Sequence, residues 1–216
     1  MLYMALEPYV RRRWPQSLIS WTRALAGSIR DPLLGGHVLI GTAIGVGFVV
    51  LQALYTIVSF QKGIAPYIST PTLRLGPMVG SWLGNFRDAT TVTLGLFFLF
   101  FLLRAIFRRD WLAAAMFVAL DAAPGLLSNP RIGIPQGFLS AITILILWLL
   151  IRFGVLPLAV SIVVEYLLDS FPITSDFSAW YAGASILALA TVLAIGLWSF
   201  RVALGGRELW KEDFLD

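Results

Sequence analysis

The chain contains no cysteine and a single histidine. Without thiols it can form no disulfide, no thiolate zinc site and no cysteine-ligated iron–sulfur cluster. With one imidazole it cannot build a multi-histidine metal centre. Charge is scarce too: Asp, Glu, Lys and Arg make up 13% of the 216 residues, whereas a soluble domain carries about 25%. So few charged groups cannot cover a water-facing surface. Catalytic signatures are missing as well. There is no H-E-x-x-H, no G-x-S-x-G and no phosphate loop. An intramembrane aspartyl protease built on Asp121 and Asp169 would need a G-x-G-D context that the sequence lacks.

What the chain has instead is apolar length. It is 58% hydrophobic and 13% aromatic, with a mean hydropathy of +0.83. A membrane-spanning helix needs roughly 20 mostly apolar residues. Runs that approach this length cover His37–Phe60, Thr90–Phe107, Trp111–Leu127 and Trp180–Phe200. A longer run, Phe138–Leu168, is broken at "IRFGVLP", where Arg152, Gly154 and Pro157 cluster. It divides into two spans, about Gly137–Ile151 and Val155–Phe171. The sequence therefore predicts an all-α, polytopic transmembrane helix bundle of about six spans. Residues 1–35 form a cytoplasmic juxtamembrane segment, 36–204 the transmembrane bundle and 205–216 a cytoplasmic tail. Residues 61–89, long for a bundle loop and holding Pro66, Pro71 and Pro77, read as an outer re-entrant-like connection. The apolar stretch Met1–Leu6 is too short for a signal peptide, and its basic cluster follows rather than precedes it.

The basic pI of about 9.8 does not imply nucleic acid, because the bases are spread along the chain at the ends of apolar runs. With the N-terminus in the cytoplasm and six spans, twelve of the sixteen Lys and Arg fall on the cytoplasmic side: Arg11, Arg12, Arg13, Arg23, Arg30, Arg104, Arg108, Arg109, Arg152, Arg201, Arg207 and Lys211. Lys62, Arg74, Arg87 and Arg131 remain opposite. This is the positive-inside bias of a multi-pass inner-membrane protein with both termini cytoplasmic. After Pro15 and Ser17, which suit a helix start, Leu18, Trp21, Leu25 and Ile29 recur at helical spacing beside Trp14. This pattern predicts an interfacial amphipathic helix, with Arg11, Arg12, Arg13, Trp14 and Trp21 against lipid. The competing reading is a short helix packed on the protein's own cytoplasmic side.

The segment "LYMALEPYVRRRWPQSLISWTRALAGSIRDPLLGGHVLIG", Leu2–Gly41, resembles the juncture after the kinase domain in bacterial, acidobacterial-type receptor-like serine/threonine protein kinases. The resemblance implies the C-terminal multi-span membrane region of such a protein: a non-catalytic sensor or anchor module, either a fragment or a stand-alone relative. The kinase signatures themselves, the Gly-rich loop, V-A-I-K, H-R-D and D-F-G, are absent. The alternative function is a small transporter-like protein or an accessory membrane subunit. Partners implied are membrane lipids and a homo-oligomer or larger membrane complex, without nucleic acid.

Polar residues inside spans are costly and so mark candidate sites. Asp121 lies mid-span in "ALDAAPG". It reads as a proton or ligand site at a broken helix or, the favoured reading, as one half of an ion pair with Arg104 or Arg152 that fixes packing. Glu165 and Asp169, four residues apart, share a helix face. They line an outward-facing vestibule, or Asp169 simply marks the end of the span. Gly41 with Gly45, and Gly76 with Gly80 and Gly84, are small-xxx-small rows suited to close helix packing. No cofactor is expected, and a tetrapyrrole on His37 is the one alternative. Reporter fusions after Gly35, Gly63, Arg109, Ser128, Arg152, Ser175 and Gly206 are expected to alternate sides, beginning and ending in the cytoplasm. A periplasmic signal at Gly206 would overturn the even count.

Overall fold

The computed structural model describes residues 19–63, 75–128, 133–171, 173–174, 176, 178–179 and 181–205. These residues form seven helices and, among them, no strand: α1 Ile19–Leu25, α2 Pro32–Gln61, α3 Leu75–Phe107, α4 Asp110–Ser128, α5 Gly133–Phe153, α6 Val155–Ser170 and α7 Ala182–Leu204. The chain is an all-α helical membrane bundle. Helices α2, α3, α4, α5 and α7 are each long and apolar enough to cross a membrane. Large apolar side chains such as Leu54, Ile57, Leu193 and Leu197 point outward from them. In water this surface would be an aggregation liability; in lipid it is the expected exterior.

The remaining bundle helix, α6, has 16 residues and an axial length of about 24 Å. That is less than the roughly 30 Å of a bilayer core. It tolerates this because it lies inside the bundle. Val155, Leu158 and Ile162 pack with Phe97 and Phe100 of α3, Phe117 of α4 and Leu147 and Leu150 of α5. Farther along, Val164 and Leu167 pack with Ala184, Ala188 and Val192 of α7 and with Trp82 and Phe86 of α3.

Local chemistry sets the helix ends. Asp31 caps α2, accepting the Leu33 N–H at 2.9 Å ahead of Pro32 at the first helical position. The Arg23 guanidinium, 2.5 Å from its other oxygen, together with the Leu33 N–H, holds the Asp31 carboxyl below the usual carboxylate range. The α3–α4 turn is two residues long and closes through Arg108 at φ 58°. Arg104 Nε reaches back across it to Asp110 at 2.6 Å. Gly154, at φ 92°, is the single residue between α5 and α6, and its N–H donates to the carbonyls of Leu149 and Leu150. Only glycine adopts such a φ without strain, which is why the long apolar run breaks at "IRFGVLP".

Close backbone approaches fix the directions of the helices. A Cβ on Gly41 would sit 2.5 Å from the Pro157 carbonyl oxygen, and one on Gly45 would sit 2.6 Å from that of Ser161. α2 and α6 therefore run parallel. Gly35 lies equally close to the backbone of Ser199 and Ala203, and Gly205 faces Pro32. Hence α7 is antiparallel to α2, and the first residue of α2 lies at the same end of the bundle as the last of α7.

Three expectations need correction. Residues 75–89, read as part of a re-entrant-like connection, are the first half of α3. Met78, Trp82 and Phe86, one helical turn apart, pack against the α6–α7 cluster, and Pro77 falls in the first turn, where proline is tolerated. A methyl group added at Gly80 or Gly84 would meet nothing within 4 Å, so that row mediates no packing within the described part of the chain. Of the amphipathic segment, the described residues Ile19–Leu25 are helical and dock on the bundle. Ser20 is buried, Trp21 packs beside Leu34, Val38 and Leu156, and Leu25 and Ile29 stay exposed. Trp21, expected against lipid, therefore packs on the bundle, as the packed-helix alternative has it. Arg11, Arg12, Arg13 and Trp14 lie outside the described residues, as do 64–74 and 206–216.

Substituting Gly45 by valine is expected to cost at least ~1–3 kcal/mol, the usual penalty of overpacking. Gly84→Ala is expected to stay within about 0.5 kcal/mol of the parent. Thermal melting of both variants in detergent checks the contrast, and equal melting temperatures would sink it.

Candidate functional site

Along the face of α2 that touches α6, small residues give way to larger polar ones. Gly41 and Gly45 bring the two backbones together, and the same face continues through Val49, Gln52 and Thr56. A cleft of about 270 Å³ opens between the C-terminal halves of α2 and α6, its polar wall made of Gln52, Thr56, Glu165 and Asp169. Leu168, Phe171 and Ile173 complete its apolar side. The structure thus brings Glu165 and Asp169 together in one cavity. Glu165 is partly buried and Asp169 exposed, which grades the site from the bundle interior towards its end.

The Thr56 hydroxyl donates to the main-chain carbonyl of Gln52 at 3.0 Å. Behind the cleft, α3 and α7 brace α6. Trp82 Nε1 donates to Thr191 Oγ1 at 3.1 Å, and the Ser170 hydroxyl donates to Asn85 Oδ1 at 3.3 Å. The first bond joins α3 to α7, and the second ties α3 to the C-terminal half of α6, which carries both carboxylates. At the same end of the bundle, Asp176 accepts the Ser178 hydroxyl and N–H, at 2.6 and 2.9 Å, and these bonds keep its carboxyl below the usual range. Asp176 is therefore a carboxylate at that end of the bundle.

The other polar candidates lie elsewhere. Asp121 on α4 accepts a hydrogen bond from the Thr143 hydroxyl of α5 at 2.7 Å. The expected ion pair with Arg104 does not form, because Arg104 Nε is engaged by Asp110 at the α3–α4 turn. Arg152, the other suggested partner, places its guanidinium over the Phe153 ring at 5.7 Å. The same ring meets His37 edge-on at 5.8 Å and Trp148 at 5.4 Å. His37 is thus half-buried against an aromatic side chain, and no group of three or more metal-ligating residues occurs among the described residues.

Sequence reasoning passed over Gln52, Thr56, Asn85 and Thr143. Gln52 and Thr56 carried a usable signal, a polar pair four residues apart in an otherwise apolar span. Thr143 in "AITILIL" carried almost none, since a lone threonine can bond to its own helix, as this one also does with the Leu139 carbonyl. No protein-family model, curated protein or solved structure matches this chain.

Because Asp121 and Arg104 have separate partners, the destabilisations of Asp121→Asn and Arg104→Gln are expected to add within about 0.5 kcal/mol. Thr143→Val, which strips the hydroxyl from Asp121, is expected to cost about 1–3 kcal/mol. A double-mutant cycle read by thermal melting decides it, and recovery of stability in the double variant would restore the ion-pair reading.

Proposed function

We propose that this chain is a non-catalytic membrane sensor or anchor module, of the kind that receptor-like kinases carry beside their kinase domain, with its arginine-rich end in the cytoplasm. The α2–α6 cleft is the observation that carries the sensing role. It lies at the end of the bundle away from Arg104, Arg108, Arg109, Arg152 and Arg201, so under this orientation it opens to the outside. Two carboxylates at different depths, an amide and an apolar wall suit a small organic cation: the ammonium lies against Glu165 and Asp169 and the hydrocarbon part against Leu168 and Phe171. A ligand there contacts both α2 and α6. It therefore bears on the two helices that meet at Gly41 and Gly45, and α2 leads directly to Asp31 and α1 at the cytoplasmic end. Ligand-dependent change in the α2–α6 crossing is the means by which occupancy would be signalled.

The second reading, a small transporter-like protein or accessory subunit, draws on Glu165 lying within α6 rather than at its end. The two readings differ in flux. Purified protein is titrated with a panel of alkyl ammonium, diamine and quaternary ammonium compounds. A binding member is expected to raise the melting temperature, with about 2.7 kcal/mol of stabilisation at a hundredfold excess over Kd. Glu165→Gln is expected to abolish the shift. No shift from any member, or a shift that survives the substitution, would overturn the assignment. Uptake of the same compound into proteoliposomes, lost in Glu165→Gln, would favour transport.

A further inference from the structure

A second cavity lies between a different pair of helices and has different chemistry. Between α4 and α5 runs a groove of about 590 Å³, lined by Ala114, Ala115, Val118, Ile144, Trp148 and Ile151. Its lining is almost wholly apolar, and Ile144, Trp148 and Ile151 are substantially exposed along it. The two alanines of α4 make the hollow, and α5 supplies the ridge.

The helical register places the two ends of this groove. Asp121 lies opposite Thr143, and Gly125 lies against Gln136. The antiparallel pair, followed the other way, sets the first turn of α4 level with the last turn of α5. One end of the groove is closed by the Asp121–Thr143 hydrogen bond. Beyond the other end, Arg152 follows Ile151 in the last turn of α5, and the Arg108–Arg109 turn precedes α4 at the same level. Trp111, 65% exposed, stands in the first turn of α4 beside this basic mouth. Asp110, the nearby acid, is engaged by Arg104. Arg108, Arg109 and Arg152 form no ion pair with any described residue. From Ile144 to Arg152 the groove covers about 12 Å along the helix axis.

We propose that this groove binds an anionic phospholipid, with one acyl chain along Ala114, Ala115 and Ile144 and the phosphate held by Arg109 and Arg152. Three observations favour that occupant. The groove faces the lipid-exposed exterior of a membrane bundle. Its length is matched to a chain rather than to a compact ligand. Its polar end carries a net positive charge at the level where headgroups lie, Asp110 being engaged by Arg104, and arginine binds phosphate oxygens through a bidentate fork. Basic pockets between transmembrane helices recognise acidic headgroups in this way. Trp111 and Trp148 suit the same depth, where indole rings concentrate. Charge complementarity selects an acidic lipid over a zwitterionic one, because three guanidinium groups are otherwise uncompensated among the described residues.

The full chain is reconstituted in vesicles of phosphatidylcholine with or without one fifth phosphatidylglycerol, extracted in mild detergent and examined by native mass spectrometry. The wild type is expected to retain one phosphatidylglycerol and no phosphatidylcholine. The Arg109→Gln/Arg152→Gln variant is expected to retain at least about tenfold less. Ala115→Leu, which fills the groove at an exposed position and leaves the arginines in place, is expected to lose it as well. Ala114→Val serves if that variant unfolds. Arg201→Gln, at the same end of the bundle but on α7, is expected to behave as wild type. Retention in the groove-filled variants, equal loss in Arg201→Gln, equal retention of phosphatidylcholine, or displacement by glycerol 3-phosphate at matching concentration would each overturn the proposal.

Discussion

The close approach of α2 to α6 is the constraint on which the rest of the bundle depends. In lipid there is no hydrophobic drive to bring apolar helices together, so association relies on backbone proximity and packing. Gly41 and Gly45 remove the side chains that would separate the helices, and the carbonyls of Pro157 and Ser161 occupy the vacated space. The contact places α6 in the centre. Its burial there allows it to be shorter than a bilayer is thick, and α3, α5 and α7 then assemble around it. The cleft follows from the same contact, since two helices that touch at one level and carry larger side chains at the next must diverge.

The bundle is electrically divided along its length. The end that holds the N-terminus of α2 carries Arg23, Arg30, Arg104, Arg108, Arg109, Arg152 and Arg201, with Asp31 and Asp110 as the described acids. The other end carries Asp88, Glu165, Asp169 and Asp176 against Lys62 and Arg87. Arg87 is engaged with its neighbour Asp88 at 2.9 Å. A basic face suits anionic headgroups and an acidic one suits cations, so the opposite ligands proposed for the two cavities follow this division. The dense arginine end also explains the short α3–α4 and α5–α6 turns. Helices that return to the headgroup region within one or two residues leave little backbone without partners.

Much of this was legible in linear order. The apolar runs located every bundle helix, and the break at Gly154 separated α5 from α6 where the structure does. Gly41 and Gly45 were recognisable as a close-packing pair. The second glycine row was not distinguishable from the first by spacing, because spacing says only that a face is small, not whether another helix lies against it. The start of α3 was misread because the prolines before it suggest irregular chain, whereas Met78, Trp82 and Phe86 gain burial only once α6 and α7 are in place. Asp121 was rightly singled out as a residue needing a partner. Its partner was misjudged because a threonine two dozen residues away is invisible as an acceptor's mate until α4 and α5 are set in register.

Composition, apolar length and the distribution of bases determined by themselves that this is an all-helical membrane bundle with one basic end. Those properties depend on each segment's exchange between water and lipid, which is a local quantity. The tertiary structure alone decided that α6 is the buried centre, that Gln52 and Thr56 share a cavity with Glu165 and Asp169, and that Arg104 belongs to Asp110. Each of these depends on which faces of distant helices meet, and a face acquires a neighbour only through the packing of the whole.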